Sequence, residues 1–255
     1  MRKHLFLTIF MVISMVASAQ FAGGTGSTNK SKSNVNTDNY KSFRLSYTPI
    51  TASVLDDDLE DGYEYVFGDD WEDILKYKGF SADFIMGFNV AQGLPLYIEA
   101  GAGLAYSFSN MDYEYYDYVD DENKDAKVGF KFLSVNVPMH IAYRLSINDQ
   151  ISILPYAGLK ARFNVIGKYT NTAYYDLEEG EYDEVSYSLY DNKEVKKYNG
   201  DENPYKAKRF LLGWQIGADV EINNFLLGVS YGADFGEAMK DIKFKTTQIS
   251  LGLKF

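Results

Sequence analysis

Cysteine is absent from the 255 residues, which excludes disulfides, thiolate metal sites and a lipid anchor on an N-terminal cysteine. Histidine occurs twice. His4 lies in the leader and only His140 remains downstream, so no loop offers a histidine as general base and an enzyme is not expected. After Val16 no apolar run approaches the roughly 20 residues that a membrane-spanning helix needs. Basic residues are in deficit as well. Once Arg2 and Lys3 leave with the leader, 23 face 36 acidic residues, a net charge of about −13 that disfavours polyanionic partners such as nucleic acid.

What is present begins with a three-part leader: Arg2 and Lys3, an apolar run from Leu5 to Val16, then Ala17-Ser18-Ala19. That is the layout of a secretory signal, with cleavage expected after Ala19 and an uncleaved anchor as the alternative. From Gln20 to Asn39 the chain is Gly, Ser, Thr, Asn and Lys with almost nothing bulky to bury. A flexible periplasmic tail is expected there, acting as a spacer or as a peptide that binds a partner. Residues 40–255 form the expected folded domain.

Within that domain the hydrophobic period is two. The last quarter sets Phe210, Leu212, Trp214, Ile216, Ala218, Val220 and Ile222 against Leu211, Gly213, Gln215, Gly217, Asp219 and Glu221; Asn223-Asn224 turns the chain, and the alternation resumes from Phe225. Similar segments begin near Phe43, Phe80, Leu96, Leu133, Ile151 and Thr247, about eight in all. Long connections alternate with tight turns, and the chain ends on Phe255. This spacing predicts an all-β fold: an eight-stranded antiparallel up-and-down transmembrane β-barrel with short periplasmic turns and long extracellular loops. A soluble barrel with its apolar face inward is the rival. It is disfavoured because glycines such as Gly101, Gly103, Gly213 and Gly217 crowd the polar face, where a narrow interior needs small residues and a solvent face does not.

The segments Val137-Pro138 to Arg144, Leu154-Pro155-Tyr156-Ala157-Gly158, Leu212-Gly213-Trp214-Gln215-Ile216-Gly217-Ala218-Asp219-Val220 and Gln248 to Phe255 resemble the porin-like (PorT-type) outer-membrane β-barrel family of Bacteroidota. The resemblance spans about Tyr40 to Phe255 and implies an integral protein of a Gram-negative outer membrane. It transfers no site residues. One branch of that family is implicated in assembling a secretion apparatus, and nothing in these residues selects that branch.

The expected inward face collects Arg44, Asp83, Glu99, His140, Arg144, Lys160, Arg162, Arg209, Asp219, Glu221, Asp234 and Lys254, both signs in similar number. In a narrow lumen they are expected to pair and plug it; a proton path or pore is the sharper alternative. Glu99 and Arg144, counted up from neighbouring turns, are expected to pair with each other. Asp56 to Gly62 invites a calcium reading, but alignment on the calcium-loop template puts Leu59 at a ligand position and Gly68 where a Glu is required, so no metal or other cofactor is expected. Tyrosines interleave with carboxylates in the expected loops 110–125 and 168–206, at Tyr113, Tyr115, Tyr116, Tyr118, Tyr174 and Tyr175. They are either recognition residues or an aromatic girdle with strand extensions above it. The leading function is a small non-enzymatic outer-membrane protein whose acidic, tyrosine-rich loops contact an extracellular partner or cation; a secretion-machine assembly factor and a narrow channel are the alternatives.

Overall fold

The computed structural model describes residues 38–55, 71–91, 93–117, 122–176, 181–191, 193 and 207–255. The expected signal and most of the expected tail, the candidate calcium loop at 56–62, and Tyr118 lie outside them. Eleven strands form one antiparallel sheet: β1 (Tyr40–Tyr47), β2 (Ile50–Val54), β3 (Lys76–Ala91), β4 (Leu94–Asp117), β5 (Glu122–Tyr143), β6 (Leu145–Ser146), β7 (Ile151–Asp176), β8 (Glu181–Ser188), β9 (Phe210–Ile222), β10 (Phe225–Asp234) and β11 (Ile242–Lys254). A 3-10 turn, Trp71–Leu75, leads into β3.

The hydrogen bonding returns to its start. β1 pairs with β11 on one side, Leu45 opposite Leu251, and with β3 on the other, Arg44 opposite Asp83. The count of eleven exceeds the expected eight for three local reasons. Pro49, which has no N–H to donate, separates β1 from β2, yet β2 continues between β11 and β3. β6 is a two-residue fragment at the end of β5, paired only with β7. β8 is a flap that folds back on β7, from Lys168 opposite Ser188 to Asp176 opposite Glu181.

The expected loops are also corrected. Most of 110–125 is a β4–β5 hairpin, paired from Asn110 opposite Gly129 to Asp117 opposite Glu122. Much of 168–206 is the β7–β8 hairpin. β-branched and aromatic residues in alternation keep both in the sheet, where their carboxylates had pointed to solvated loops.

The tight turns sit where expected. Asn223 takes a left-handed φ of 54° between β9 and β10, and Gly93 a φ of 81° between β3 and β4; Asn and Gly tolerate that region best. Asn148 Oδ1 accepts from the amides of Gln150 and Ile151 at 2.9 and 2.7 Å before β7. Phe43, Leu45, Phe80, Ile98, Leu104, Ile141, Phe225 and Leu251 all face outward and are exposed, while the alternate residues are buried. One irregularity re-aims β7: Leu133 faces Ile166 but Ser134 faces Asn164, so Val165 is a bulge and both Val165 and Ile166 point outward.

Candidate functional site

The interior that the closed sheet encloses is charged in its half nearest the short turns. Arg44 is at its centre. Its Nη2 lies 3.2 Å from Glu99 Oε1 and 2.9 Å from Asp219 Oδ2, and its guanidinium lies over the Tyr156 ring at 5.8 Å. Glu99 also accepts from the Tyr40 hydroxyl and contacts His140 Nδ1 at 3.2 Å. Glu99 and Asp219 are 1% and 0% exposed along their side chains, so the three-way contact on Glu99 and the cation beside Asp219 are what make two carboxylates tolerable there. Close packing depends on missing side chains. A Cβ on Gly228 would stand 2.1 Å from Asp219 Oδ1, and one on Gly87 would stand 2.3 Å from the Tyr40 ring.

Two further ionic clusters lie in the interior. Glu221 pairs with Arg144 and, at 2.7 Å, with Lys254, whose ammonium lies over the Tyr40 ring. Higher up, Arg162 Nη1 lies 3.5 Å from Asp234 and its Nη2 donates to Thr246 Oγ1 at 3.2 Å. Asp83 accepts from Ser81 at 2.8 Å. Lys160 borders three small cavities, the first about 20 Å³ and the others about 10 Å³ each, room for a water molecule or so apiece. A chain of amides and hydroxyls, Gln215 to Ser230 at 2.6 Å and to Gln248 at 3.2 Å, then Gln248 to Ser46 at 2.8 Å, crosses between β9, β10, β11 and β1.

The structure therefore brings together Arg44, Glu99, His140 and Asp219; Arg144, Glu221 and Lys254; and Asp83, Lys160, Arg162 and Asp234. Two expectations fail. Glu99 does not pair with Arg144, because Glu99 is opposite His140 while the Arg144 amide bonds to Pro95. Four residues of rise, about 13 Å, separate the two levels. Arg209 is not inside either; it is exposed, lies 4.3 Å from the Tyr190 ring centroid and donates to the Val165 carbonyl at the bulge.

The other half of the interior is apolar, which the sequence reading missed. Tyr77 packs among Phe244, Phe132 and Phe130, with ring centroids 5.3, 5.9 and 6.4 Å away. Around them Trp71, Ile74, Val128, Leu211 and Met239 close one buried cluster. Its signal lay on the inward positions themselves, since stepping by two from Asn136 through Ser134 to Phe132, Phe130 and Val128 passes from polar to apolar. A smaller cluster of Tyr40, Tyr97, Ala142, Leu154 and Tyr156 lies at the charged end.

The candidate contact tyrosines divide. Tyr113 is half-buried against the apolar cluster, and its hydroxyl lies 3.4 Å from Asn171 Oδ1. The Tyr115 ring lies tilted beside that of Tyr113, centroids 6.5 Å apart. Tyr116, Tyr174 and Tyr175 lie on strands β4 and β7 rather than in loops. At the rim Lys76 donates to Asp73 at 2.9 Å, and that bond holds its ammonium above the ordinary lysine range.

A family model described as the outer membrane protein beta-barrel domain matches residues 60–236. Among solved structures the chain is similar to the attachment invasion locus protein Ail of Yersinia pestis, crystallised with the heparin analogue sucrose octasulfate (14% identity, 86% of this chain and 99% of that one, TM-score 0.35). It is also similar to Neisserial surface protein A (14% identity, 85% and 95%, TM-score 0.31) and to the N-terminal β-barrel domain of OprF from Pseudomonas aeruginosa (11% identity, 86% and 100%, TM-score 0.26). No curated protein matches the chain.

Proposed function

We propose, from the premise that the chain belongs to the outer membrane protein beta-barrel domain family, that it is a closed barrel of eight staves that acts without chemistry, through the hairpins it raises above the membrane. An outer-membrane β-barrel crosses the bilayer on its strands, with every backbone group paired inside the sheet. The outward rows of Phe, Leu and Ile suit that solvent. In this reading β1 and β2 make one stave, and β3, β4, β5, β7, β9, β10 and β11 the rest. Residues 1–19 are the signal, and the long-connection end faces outside the cell.

The observation that carries the reading is the height of the hairpins. Outward apolar residues on β4 end near Tyr106, yet the strand continues to Asp117, about 35 Å further along the chain. β7 and β8 rise beside it. Ordered, tyrosine-bearing strands of that length form a presentation surface for an extracellular partner. A non-enzymatic role is supported by His140, the one histidine of the mature chain, which is buried, stacked on Tyr156 at 4.7 Å and committed to Glu99. The side chains filling the interior argue against the channel alternative. Within the family we place the chain with the porin-like PorT-type barrels on its glycine-spaced strand motifs, where a secretion-assembly role is the second reading.

The test is to join Glu114 to Asp125 through an Asn-Gly turn and to purify wild-type and shortened proteins from intact outer membranes. Both should show heat-modifiable migration, and the stoichiometric partners should be lost with the hairpin tip. Retention of the same partners would move the function to the barrel wall or the tail, and steady conductance in planar bilayers would favour the channel.

A further inference from the structure

Exposed cations stand at several places on this acidic protein, among them Lys208, Arg209, Lys240 and Lys245, and three others share one row. On the outer face of the sheet one row runs across five strands in hydrogen-bonded register: Lys78 on β3, Phe108 on β4, Lys131 on β5, Lys168 on β7 and Ser188 on β8. All three lysines are exposed. The row directly below, two residues down each strand, is Phe80, Tyr106, Leu133 and Ile166, the upper edge of the outward apolar surface. In the row directly above, Lys76 on β3 is already paired with Asp73 and Glu72, and the other positions, Asn110, Gly129, Thr170 and Ser186, are neutral. Outward carboxylates on these strands begin only at the next level, where Asp112 is already paired with Lys127 at 3.4 Å.

Lys131 and Lys168 stand directly opposite one another across β5 and β7, an arrangement of like charges that costs stability unless an anion offsets it. Among the described residues no carboxylate forms an ion pair with Lys78, Lys131 or Lys168, although carboxylates outnumber cations in the chain. The opposite end of the molecule has no such row: on the strands near the short turns the exposed cation is Lys41, and the turns carry Asn148, Asp149, Gln150, Asn223 and Asn224.

We propose that this row is a binding surface for the phosphate groups of an anionic lipid in the leaflet nearest the long connections. The occupant is a membrane lipid because of the row's depth. The lysines sit one pleat, about 7 Å, above the last apolar row, where headgroup phosphates lie and where the lysine stems cover apolar surface while their ammonium groups reach outward. Phe108, 5.8 Å from Tyr106 ring to ring, supplies the aromatic contact at the same interface. Three lysines over three strand spacings, about 14 Å, match a headgroup bearing more than one phosphate. The inference rests on the membrane-spanning premise stated above and adds a ligand class to it.

Full-length protein in phosphatidylcholine nanodiscs is titrated with fluorescent bisphosphorylated lipid A. Lys78→Gln/Lys131→Gln/Lys168→Gln should weaken the apparent affinity by on the order of 100-fold, Lys41→Gln should leave it within about twofold of wild type, and the triple Lys→Arg variant should retain it. Inorganic phosphate should not compete. The inference is overturned if the triple Gln variant binds like wild type, if Lys41→Gln loses as much, or if inorganic phosphate displaces the lipid, which would make the row a site for free anions. A chain without heat-modifiable migration in nanodiscs would sink the membrane premise first, and this inference with it.

Discussion

The two halves of the interior solve the same packing problem with different chemistry. Near the short turns the space is filled by Arg44, Glu99, Asp219 and Glu221, joined across strands by ion pairs; near the long connections it is filled by Tyr77, Phe130, Phe132 and Phe244. A buried ion cluster adds little net stability over apolar residues of the same size, but it is strongly intolerant of losing one member. Each buried aromatic contributes about 1.5–3 kcal/mol by leaving water and tolerates replacement more gradually. The ionic half therefore selects one register, while the aromatic half supplies stability and carries the fold above the outward apolar rows.

The largest expected effect tests the intolerance. Arg44→Met removes the cation that Glu99 and Asp219 share, and it should lower unfolding free energy in urea by about 3–5 kcal/mol. Adding Glu99→Gln and Asp219→Asn should restore most of that loss, since no uncompensated charge remains; a triple variant as unstable as the single one would mean that the ions stabilise in their own right. In the aromatic half Phe132→Ala should cost about 3 kcal/mol by opening a cavity, with hydrogen exchange rising in upper β4 and β5 and not at Ser42 to Ser46. Uniform exchange along the strands would erase the distinction between the halves.

Smaller effects follow from position. Gly228→Ala drives a methyl against Asp219 and should cost about 2 kcal/mol; if refolding yields and midpoints match wild type, the interior is looser than the 2.1 Å approach implies. Lys76→Ala breaks contacts to Glu72 and Asp73, but these side chains are more than half exposed. Its urea midpoint should stay within error of wild type, as exposed pairs contribute little, and a clear drop would show that the rim shares the interior's intolerance.

Much of this is legible in the residues. Outward positions are apolar on nearly every stave, because lipid accepts any apolar side chain, so a period of two stands out from Phe43 to Leu253. Asn223-Asn224 announces its turn because few residues accept a φ of 54°. Arg44, Glu99, Asp219 and their companions are recognisable as inward by parity alone. Their partners are not: Arg44 meets Glu99 and Asp219, which are 55 and 175 positions away, and the choice depends on register across strands that are not neighbours in sequence. The β4–β5 and β7–β8 hairpins were hidden by their carboxylates, since a strand that rises into water on one face has the composition of a loop.

The sequence by itself determined the strand class, the alternation of faces, the tight turns and, Arg209 apart, which of the named charges point inward, because each is set by the two-residue period and by local backbone preference. Only the tertiary structure decided that β1 closes on both β3 and β11, that Glu99 answers Arg44 and His140 rather than Arg144, and that inward aromatics gather around Tyr77. These outcomes follow from how far each strand slides against its neighbour before the sheet closes, and that stagger is a property of all the staves together.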